Sequence, residues 1–111
     1  MGILAAGQVV AVPFPYSDLT GRKLRPALLL VPLQHHDWII CQITSNPFAD
    51  RFAVALDKPS FVSGGLPHVS YARPTKLFSA HENLITQTLG QLSTTAFEQI
   101  RETLIAAIRS A

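Results

Sequence analysis

Runs of apolar and β-branched residues along the chain predict a series of short strands. Residues 8–14 (QVVAVPF), 25–33 (RPALLLVPL) and 38–44 (WIICQIT) are rich in such residues, and Pro, Gly, Ser, Asn or Asp residues bound them, as is typical of strands between turns. The third run is apolar at consecutive positions, so we expect it to be central in a sheet and buried on both faces. Pro26 has no N–H to donate and should lie at a strand start or on an edge.

Shorter strands are predicted in the middle of the chain. They cover residues 51–56, 69–73, 76–78 and 85–92, and Pro74 separates the second from the third. Residues 35–37 should form a turn, and residues 15–24 (PYSDLTGRKL) a loop, because turn-forming residues are concentrated there. Residues 60–67 (SFVSGGLP) are Gly-rich, which predicts a second, mobile loop.

The periodicity changes at the end of the chain. Residues 95–98 (TAFE) fit a capping box. Apolar residues then recur at spacings of three and four, at Phe97, Ile100, Leu104 and Ile108, which predicts an amphipathic helix to the C-terminus. Several short strands followed by one helix favour a small β-barrel that the helix flanks.

Length and composition suit one packed domain over residues 1–111. Hydrophobic residues make up 48% of the chain and charged residues 14%, whereas about 25% is usual for charged residues. Such a chain has extra apolar surface that a second copy or a wrapping partner could cover. The single cysteine, Cys41, lies in an apolar run and should be a buried small hydrophobe.

The positive charge is concentrated in the front of the chain. Residues 1–76 hold seven basic and four acidic residues, and residues 77–111 hold two basic and three acidic ones. Arg22, Lys23 and Arg25 lie within four positions, which suits an anionic partner such as nucleic acid, although a solvated loop would look the same. The apolar stretch at residues 27–31 is too short to span a bilayer. No signal peptide is apparent, so the cytoplasm is the expected location.

The candidate chemistry is sparse. The sequence has no nucleophile elbow, Walker loop, zincin motif or dinucleotide fingerprint. Without a cysteine cluster a structural zinc site is not expected, and no cofactor is indicated. Two of the four histidines (His35, His36, His68 and His81) could act as an acid–base pair on a ribose 2′-OH, but all four fall in predicted turns or loops, where solvated histidines are common.

Arg25 is the strongest single candidate for binding a phosphate. A guanidinium is always charged and can hold a phosphate through two parallel hydrogen bonds, although an ion pair with Asp18 or Asp37 is an alternative. Thr44 and Ser45 end a buried strand and offer hydroxyls at its rim, where a turn hydrogen bond is the alternative.

Two aromatic residues lie on predicted loops near these positions. Tyr16 is close to Arg25 along the chain, and Phe48 is close to Thr44. Both could stack unpaired bases, or they could close one end of the barrel.

Four segments together resemble the MazF/PemK toxins. Residues 7–14 followed by RPALLL are similar to the family's G-x-V-V-x-V-x-F strand and R-P-A-L-V-L strand. QITS at residues 42–45 is similar to another family strand. Residues 65–78 (GLPHVSYARPTKLF) fit G-L-x-x-x-S-x-x-x-x-x-K-L-F, and LGQLS before the helix fits L-G-x-L-S. Each motif is weak alone, but the four occur in order over nearly the whole chain.

The resemblance implies an SH3-like barrel with a C-terminal helix, in a homodimeric toxin of a type II toxin–antitoxin system. Family members cut single-stranded RNA without a metal. Arg25 matches the family's catalytic arginine and Thr44 its catalytic threonine or serine. The ribose 2′-OH would attack the adjacent phosphate, Arg25 would stabilise the developing charge and could also serve as acid, and Thr44 would orient the phosphate. An acidic cognate antitoxin is the implied partner. The further residues expected to bind RNA are Tyr16, Arg22, Lys23, Ser45 and Arg73.

The resemblance has one departure, and the function has a rival. Many members carry an acidic residue where this chain has Gln8, so a carboxylate base at that position is not available here. Arg73 lies in a region that aligns loosely with the family. The rival function is a non-catalytic SH3-like module that inhibits growth by binding a protein. Arg25 with Thr44 favours the nuclease, because a protein-binding module has no need of a phosphate-binding pair.

Overall fold

A computed structural model describes residues 3–14 and 23–111. Over these residues the chain forms seven strands and one α-helix: β1 (Gln8–Phe14), β2 (Lys23–Pro32), β3 (Asp37–Thr44), β4 (Val54–Leu56), β5 (Phe61–Gly64), β6 (Ser70–His81), β7 (Gln87–Leu92) and α1 (Thr94–Arg109). The helices in this part of the chain are all too short or too polar to cross a membrane.

The strands form one antiparallel sheet in the order β4-β6-β3-β2-β1-β7-β5. The two edge strands, β4 and β5, follow each other in the chain and are joined through one 3₁₀ turn, Lys58–Ser60. The sheet therefore curls until its edges approach, which gives a nearly closed barrel. The predicted small barrel with a C-terminal helix is confirmed, and β3 is interior, as its continuous apolar run predicts.

Burial on both faces of the sheet explains why successive residues in β2 and β3 are apolar. Ala27, Leu28 and Leu29 are all fully buried. Alternate residues contribute to two separate clusters, one on each face. The cluster that includes Leu28 and Cys41 also takes in Ile100 of α1, so the helix covers that face. The other cluster includes Ala27, Leu29 and Trp38.

The helix begins two residues earlier than the sequence pattern predicts. Ser93 is the N-cap, and its hydroxyl accepts a hydrogen bond from the N–H of Ala96 at 3.1 Å. The predicted capping box at residues 95–98 is therefore wrong, because Ser93 already satisfies a free N–H of the first turn. Phe97 and Leu104 pack on the core, as predicted, whereas Ile108 is 66% exposed.

Prolines are accommodated inside strands. The two strands predicted at residues 69–73 and 76–78 are one strand, β6, which begins at Ser70. The register on β3 shifts between the pairs Cys41–Leu77 and Gln42–Arg73, which leaves residues 74–76 in a bulge. Pro26 is inside β2 and not at its start. Pro26 pairs with Ala11 of β1, whereas the pairing of β2 with β3 ends at Ala27. The missing N–H of Pro26 therefore interrupts no hydrogen bonds between β2 and β3.

Residues 60–67 are not a loop throughout, contrary to the prediction, although residues 65–67 do lie outside the strands. Residues 61–64 are β5, which pairs with β7. Gly64 has φ +64°, and a Cβ placed there would lie 2.2 Å from the carbonyl oxygen of Leu89. The glycine therefore permits a close backbone approach rather than mobility.

The remaining boundaries differ by a few residues from the prediction. β4 is limited to Val54–Leu56, β7 begins at Gln87, and the 3₁₀ turn Gln34–His36 precedes β3. Of the loop predicted at residues 15–24, residues 23 and 24 belong to β2, and residues 15–22 lie outside the described part of the chain.

Candidate active site

The register of β2 on β3 brings Arg25 and Thr44 to the same end of the sheet. Ala27 and Gln42 form the last pair between these strands, and Arg25 and Thr44 each lie two residues beyond that pair. Side chains two apart on a strand share a face, so Arg25 and Thr44 extend from one face, beside Gln42. Lys23 follows the same alternation, and both Lys23 and Arg25 are exposed. This end of the sheet therefore combines two positive charges with a hydroxyl.

Thr44 is held by the turn that follows β3. Its Oγ1 accepts a hydrogen bond from the N–H of Asn46 at 3.1 Å, so the hydroxyl hydrogen can be donated to a ligand. Ser45 comes directly after the strand and is exposed. The turn hydrogen bond considered for Thr44 from sequence is thus present, and it fixes the side chain at the rim.

A buried polar network lies next to this pair. Arg73 of β6 pairs with Gln42 of β3. It donates from Nη1 to Gln42 Oε1 and from Nε to Asp50 Oδ2, both at 2.9 Å. The hydrogen bond from Arg73 holds the pKa of the Asp50 carboxyl below its usual value. Since two of its nitrogens are engaged, Arg73 ties residues 45–53 to the sheet.

Residues 45–53 form a tightly bonded turn that displays an aromatic ring. Asn46 Oδ1 accepts from the N–H of Phe48 at 3.0 Å, and Asp50 Oδ1 accepts from Phe52 at 2.9 Å. Phe48 and Ala49 have φ of 53° and 58°, a left-handed conformation that costs about 1–2 kcal/mol for each such residue. Phe48 is 62% exposed. It therefore does not close the barrel end, which was one of the two interpretations of its sequence position.

We predict that Asp50→Asn lowers the free energy of unfolding by about 1–2 kcal/mol at neutral pH, since it removes a charged acceptor from Arg73, whose side chain is mostly buried. The folded pKa of Asp50 is lowered, so its contribution is complete above the ordinary pKa near 4 and is lost as pH falls through the folded value. Urea unfolding at neutral and strongly acidic pH should show the difference between the two proteins shrinking in acid. Glu102→Gln, on the exposed face of α1, is the matched control, and an equal loss there would contradict the assignment.

Three of the four histidines are remote from this end of the sheet. His36 directly precedes β3, and His81 pairs with Asp37, the first residue of β3. Their ring centres are 6.2 Å apart, and His36 Nδ1 is 3.7 Å from Glu82 Oε1. The eight residues of β3 separate them from Thr44 by roughly 20 Å. His35 belongs to the same 3₁₀ turn as His36. These three histidines are therefore too far away to act as an acid–base pair on a phosphate held by Arg25 and Thr44.

Asp37 and Gln8, two sequence-based candidates for acting with Arg25, both lie away from it. Asp37 is at the far end of β3, where it pairs with His81, so an Arg25–Asp37 ion pair is excluded. Gln8 lies four residues before Val12, which pairs with Arg25, and this spacing corresponds to about 13 Å along β1. The Gln8 Oε1 accepts a hydrogen bond from the N–H of Ala5 at 3.0 Å.

Several candidates cannot be placed. Tyr16, Asp18 and Arg22 all fall within residues 15–22, outside the described part of the chain. Within the described ranges, no three side chains among histidine, cysteine, aspartate and glutamate are grouped in a way that could hold a metal ion.

The sequence pattern did not identify Gln42 and Asp50 as parts of the site. Gln42 is one of two buried polar residues among the described ones, and its polarity within the apolar run of β3 was the available signal. A buried amide needs a partner. The sequence does not show which residue supplies it, since Arg73 is 31 positions away.

The family model of the PemK-like, MazF-like toxins of type II toxin–antitoxin systems matches residues 5–108. The chain therefore belongs to this family. No curated protein matches the sequence.

Solved structures share the fold at low identity. An endoribonuclease in complex with its cognate antitoxin, from Mycobacterial species, is 17% identical with a TM-score of 0.73, covering 98% of this chain and 96% of that one. A MazE–MazF complex from Deinococcus radiodurans is 22% identical with a TM-score of 0.70, covering 97% of each chain. Toxin MazF-mt6 of Mycobacterium tuberculosis is 14% identical with a TM-score of 0.72, covering 92% and 96%. The chain thus has the fold of these toxins.

Proposed function

We propose that this toxin is an endoribonuclease that cuts single-stranded RNA without a metal ion. The observation that carries the proposal is that Arg25 and Thr44 each lie two residues beyond Ala27 and Gln42, the last pair between β2 and β3, and so at one end of the sheet. Family membership supports it, and two structural neighbours are named endoribonuclease or MazF toxin. An exposed guanidinium beside a strand-end hydroxyl can hold a phosphate from two sides.

The proposed reaction is an internal transfer within the RNA. The ribose 2′-oxygen attacks the adjacent phosphorus while the bond to the 5′-oxygen breaks. A 2′,3′-cyclic phosphate and a 5′-hydroxyl result, and the proton lost by the 2′-OH is balanced by one gained at the leaving oxygen. Arg25 stabilises the charge on the phosphate and could supply that proton, while Thr44 orients the phosphate. Lys23, Ser45 and Arg73, together with Tyr16 and Arg22, are proposed to bind the flanking strand.

Metal independence follows from this assignment, because Arg25 supplies the positive charge that a metal ion would otherwise bring to the phosphate. The purified protein should cut a long single-stranded RNA in the presence of EDTA and leave cyclic-phosphate and 5′-hydroxyl ends. Full inhibition by EDTA would overturn the metal-free mechanism. Growth inhibition with no cleavage of any RNA would instead favour the protein-binding module.

We further propose that the protein is a homodimer. Val31 is 44% exposed and Leu77 41% exposed. These two residues lie on the strands that flank β3, where Val31 pairs with Ile39 and Leu77 with Cys41. A second copy could cover their exposed apolar side chains. Sedimentation at micromolar concentration should give twice the monomer mass of 12.1 kDa. A monomer alone would contradict the proposal.

The proposed inhibitor is a cognate acidic antitoxin. Two of the structural neighbours are complexes with an antitoxin, and the exposed Lys23 and Arg25 would attract an acidic segment that folds as it binds. We propose that this segment and RNA compete for Arg25, and that both act in the cytoplasm. RNA titrated into the toxin–antitoxin complex should displace the antitoxin. A ternary complex with unchanged RNA affinity would show that inhibition acts elsewhere.

A further inference from the structure

We propose that Phe48 is a stacking platform for an unpaired RNA base next to the phosphate held by Arg25 and Thr44. The inference rests on the proposed nuclease function and adds the residue that would bind the neighbouring nucleotide. Phe48 is the most exposed aromatic side chain among the large hydrophobic residues of the described part of the chain, at 62%. It is four positions after Thr44, in the turn that Thr44 itself helps to hold.

The backbone of the turn fixes the ring in its exposed position. The Phe48 N–H donates to Asn46 Oδ1, and the Asp50 N–H donates to the carbonyl of Pro47 at 2.9 Å. These bonds hold Phe48 and Ala49 in the left-handed region. A strained conformation persists where surrounding contacts impose it, and such strain is concentrated at functional sites. Phe48 is therefore displayed by a preorganised turn rather than by a flexible loop.

Arg73 supports the ring from the side of the sheet. Its guanidinium carbon is 5.6 Å from the centre of the Phe48 ring, within the range of a cation–π contact. The same guanidinium is fixed by hydrogen bonds to Asp50 and Gln42. The ring is thus anchored to β6 through Arg73, which is in turn bonded to Gln42 of β3, the strand that carries Thr44. Most of the ring surface still faces solvent.

The surroundings favour a nucleic-acid base as the occupant. Gln42 links the Arg73 network to the row of β2 that carries Lys23 and Arg25, and these exposed cations would follow the phosphates of a strand. Aromatic rings beside a cationic path bind unpaired bases by stacking, whichever the base, because every base has a π face. Phe48 would therefore contribute affinity more than sequence preference.

The test uses a short RNA that spans the site cut by the wild-type protein. The RNA carries 2′-deoxyribose at the cut nucleotide, so that it cannot react. Two versions are made, with the fluorescent base 2-aminopurine either before or after that nucleotide. Binding to the wild-type protein should quench the 2-aminopurine at one flanking position. Phe48→Ala should abolish the quenching and raise the Kd about 10-fold. Phe48→Trp should keep the quenching and the affinity of the wild-type protein. With cleavable RNA, Phe48→Ala should raise KM with little change in kcat.

Val62→Ala is the matched control, since Val62 is 67% exposed on the edge strand β5, and it should leave RNA binding unchanged. If wild type cuts and binds RNA but Phe48→Ala does so equally well, the stacking role is overturned and the nuclease stands. If Phe48→Ala weakens only antitoxin binding, the ring is a protein contact and the inference is also overturned. If wild type neither binds nor cuts RNA, both proposals fall.

Discussion

Replacing Arg25 with alanine should lower the rate of RNA cleavage by about 100-fold or more, the loss expected when one preorganised donor to a developing oxyanion is removed. The substitution should have little effect on folding, because Arg25 is exposed near the start of β2. Val12 of β1, which pairs with Arg25, keeps its own place in the apolar cluster. Single-turnover cleavage in EDTA, measured at saturating protein, separates the chemical step from binding.

Two further variants sharpen that measurement. Arg25→Lys keeps the charge but loses the planar fork that binds a phosphate bidentately, so its rate should fall between those of wild type and Arg25→Ala. Lys23→Ala removes a neighbouring charge on the same face and should weaken binding while leaving the single-turnover rate largely intact. Undiminished cleavage by Arg25→Ala would refute the assignment of Arg25 to the active site. An equal loss of rate with Lys23→Ala would show that Arg25 contributes only general electrostatic attraction.

Gly64→Ala should lower the free energy of unfolding by about 3 kcal/mol or more. The new methyl group would meet the Leu89 carbonyl oxygen at 2.2 Å and Gly90 Cα at 2.6 Å, and backbone atoms cannot rotate away. Displacement of β5 from β7 adds to the cost of a left-handed alanine, about 1–2 kcal/mol. A protein of this size is stable by only about 5–15 kcal/mol, so the loss should be evident in urea unfolding.

The adjacent glycine provides the control for that experiment. Gly65 also has positive φ, at 157°, but a Cβ placed there meets nothing within 4 Å. Gly65→Ala therefore carries the backbone cost without the clash and should destabilise the protein much less. Equal losses from the two substitutions would show that backbone strain, and not the close approach of β5 to β7, makes Gly64 necessary.

The strands that could be predicted are those whose burial is visible in the residue types. β1, β2 and β3 are apolar at consecutive positions because both faces of the sheet are covered, and their predicted bounds agree within two residues. β5 was missed because Gly64 and Gly65 resemble loop residues, and only the close approach of Gly64 to Leu89 shows why a glycine is needed there. Ser93 and Thr95 are both good N-caps by type, so residue type alone could not choose between them.

The candidate site was predictable to a similar extent. Arg25 and Thr44 were singled out by residue type and by resemblance, and the antiparallel register then relates them. The network around Arg73 could not be inferred, because its partners are 23 and 31 positions away and its geometry depends on a register shift in β6. Arg73 itself was expected to bind RNA, and its engagement with Asp50 adds a structural role.

Cys41 makes the opening of the core directly measurable. It is the sole cysteine of the chain, it is fully buried on β3, and burial raises the pKa of its thiol to about 12. Only the thiolate reacts readily with alkylating reagents, so labelling requires the barrel to open. Any ligand that binds the folded state alone slows this opening by mass action. The labelling rate therefore offers a way to screen RNA pools and antitoxin peptides without knowing a cleavage sequence, using a reporter that the unmodified chain already contains.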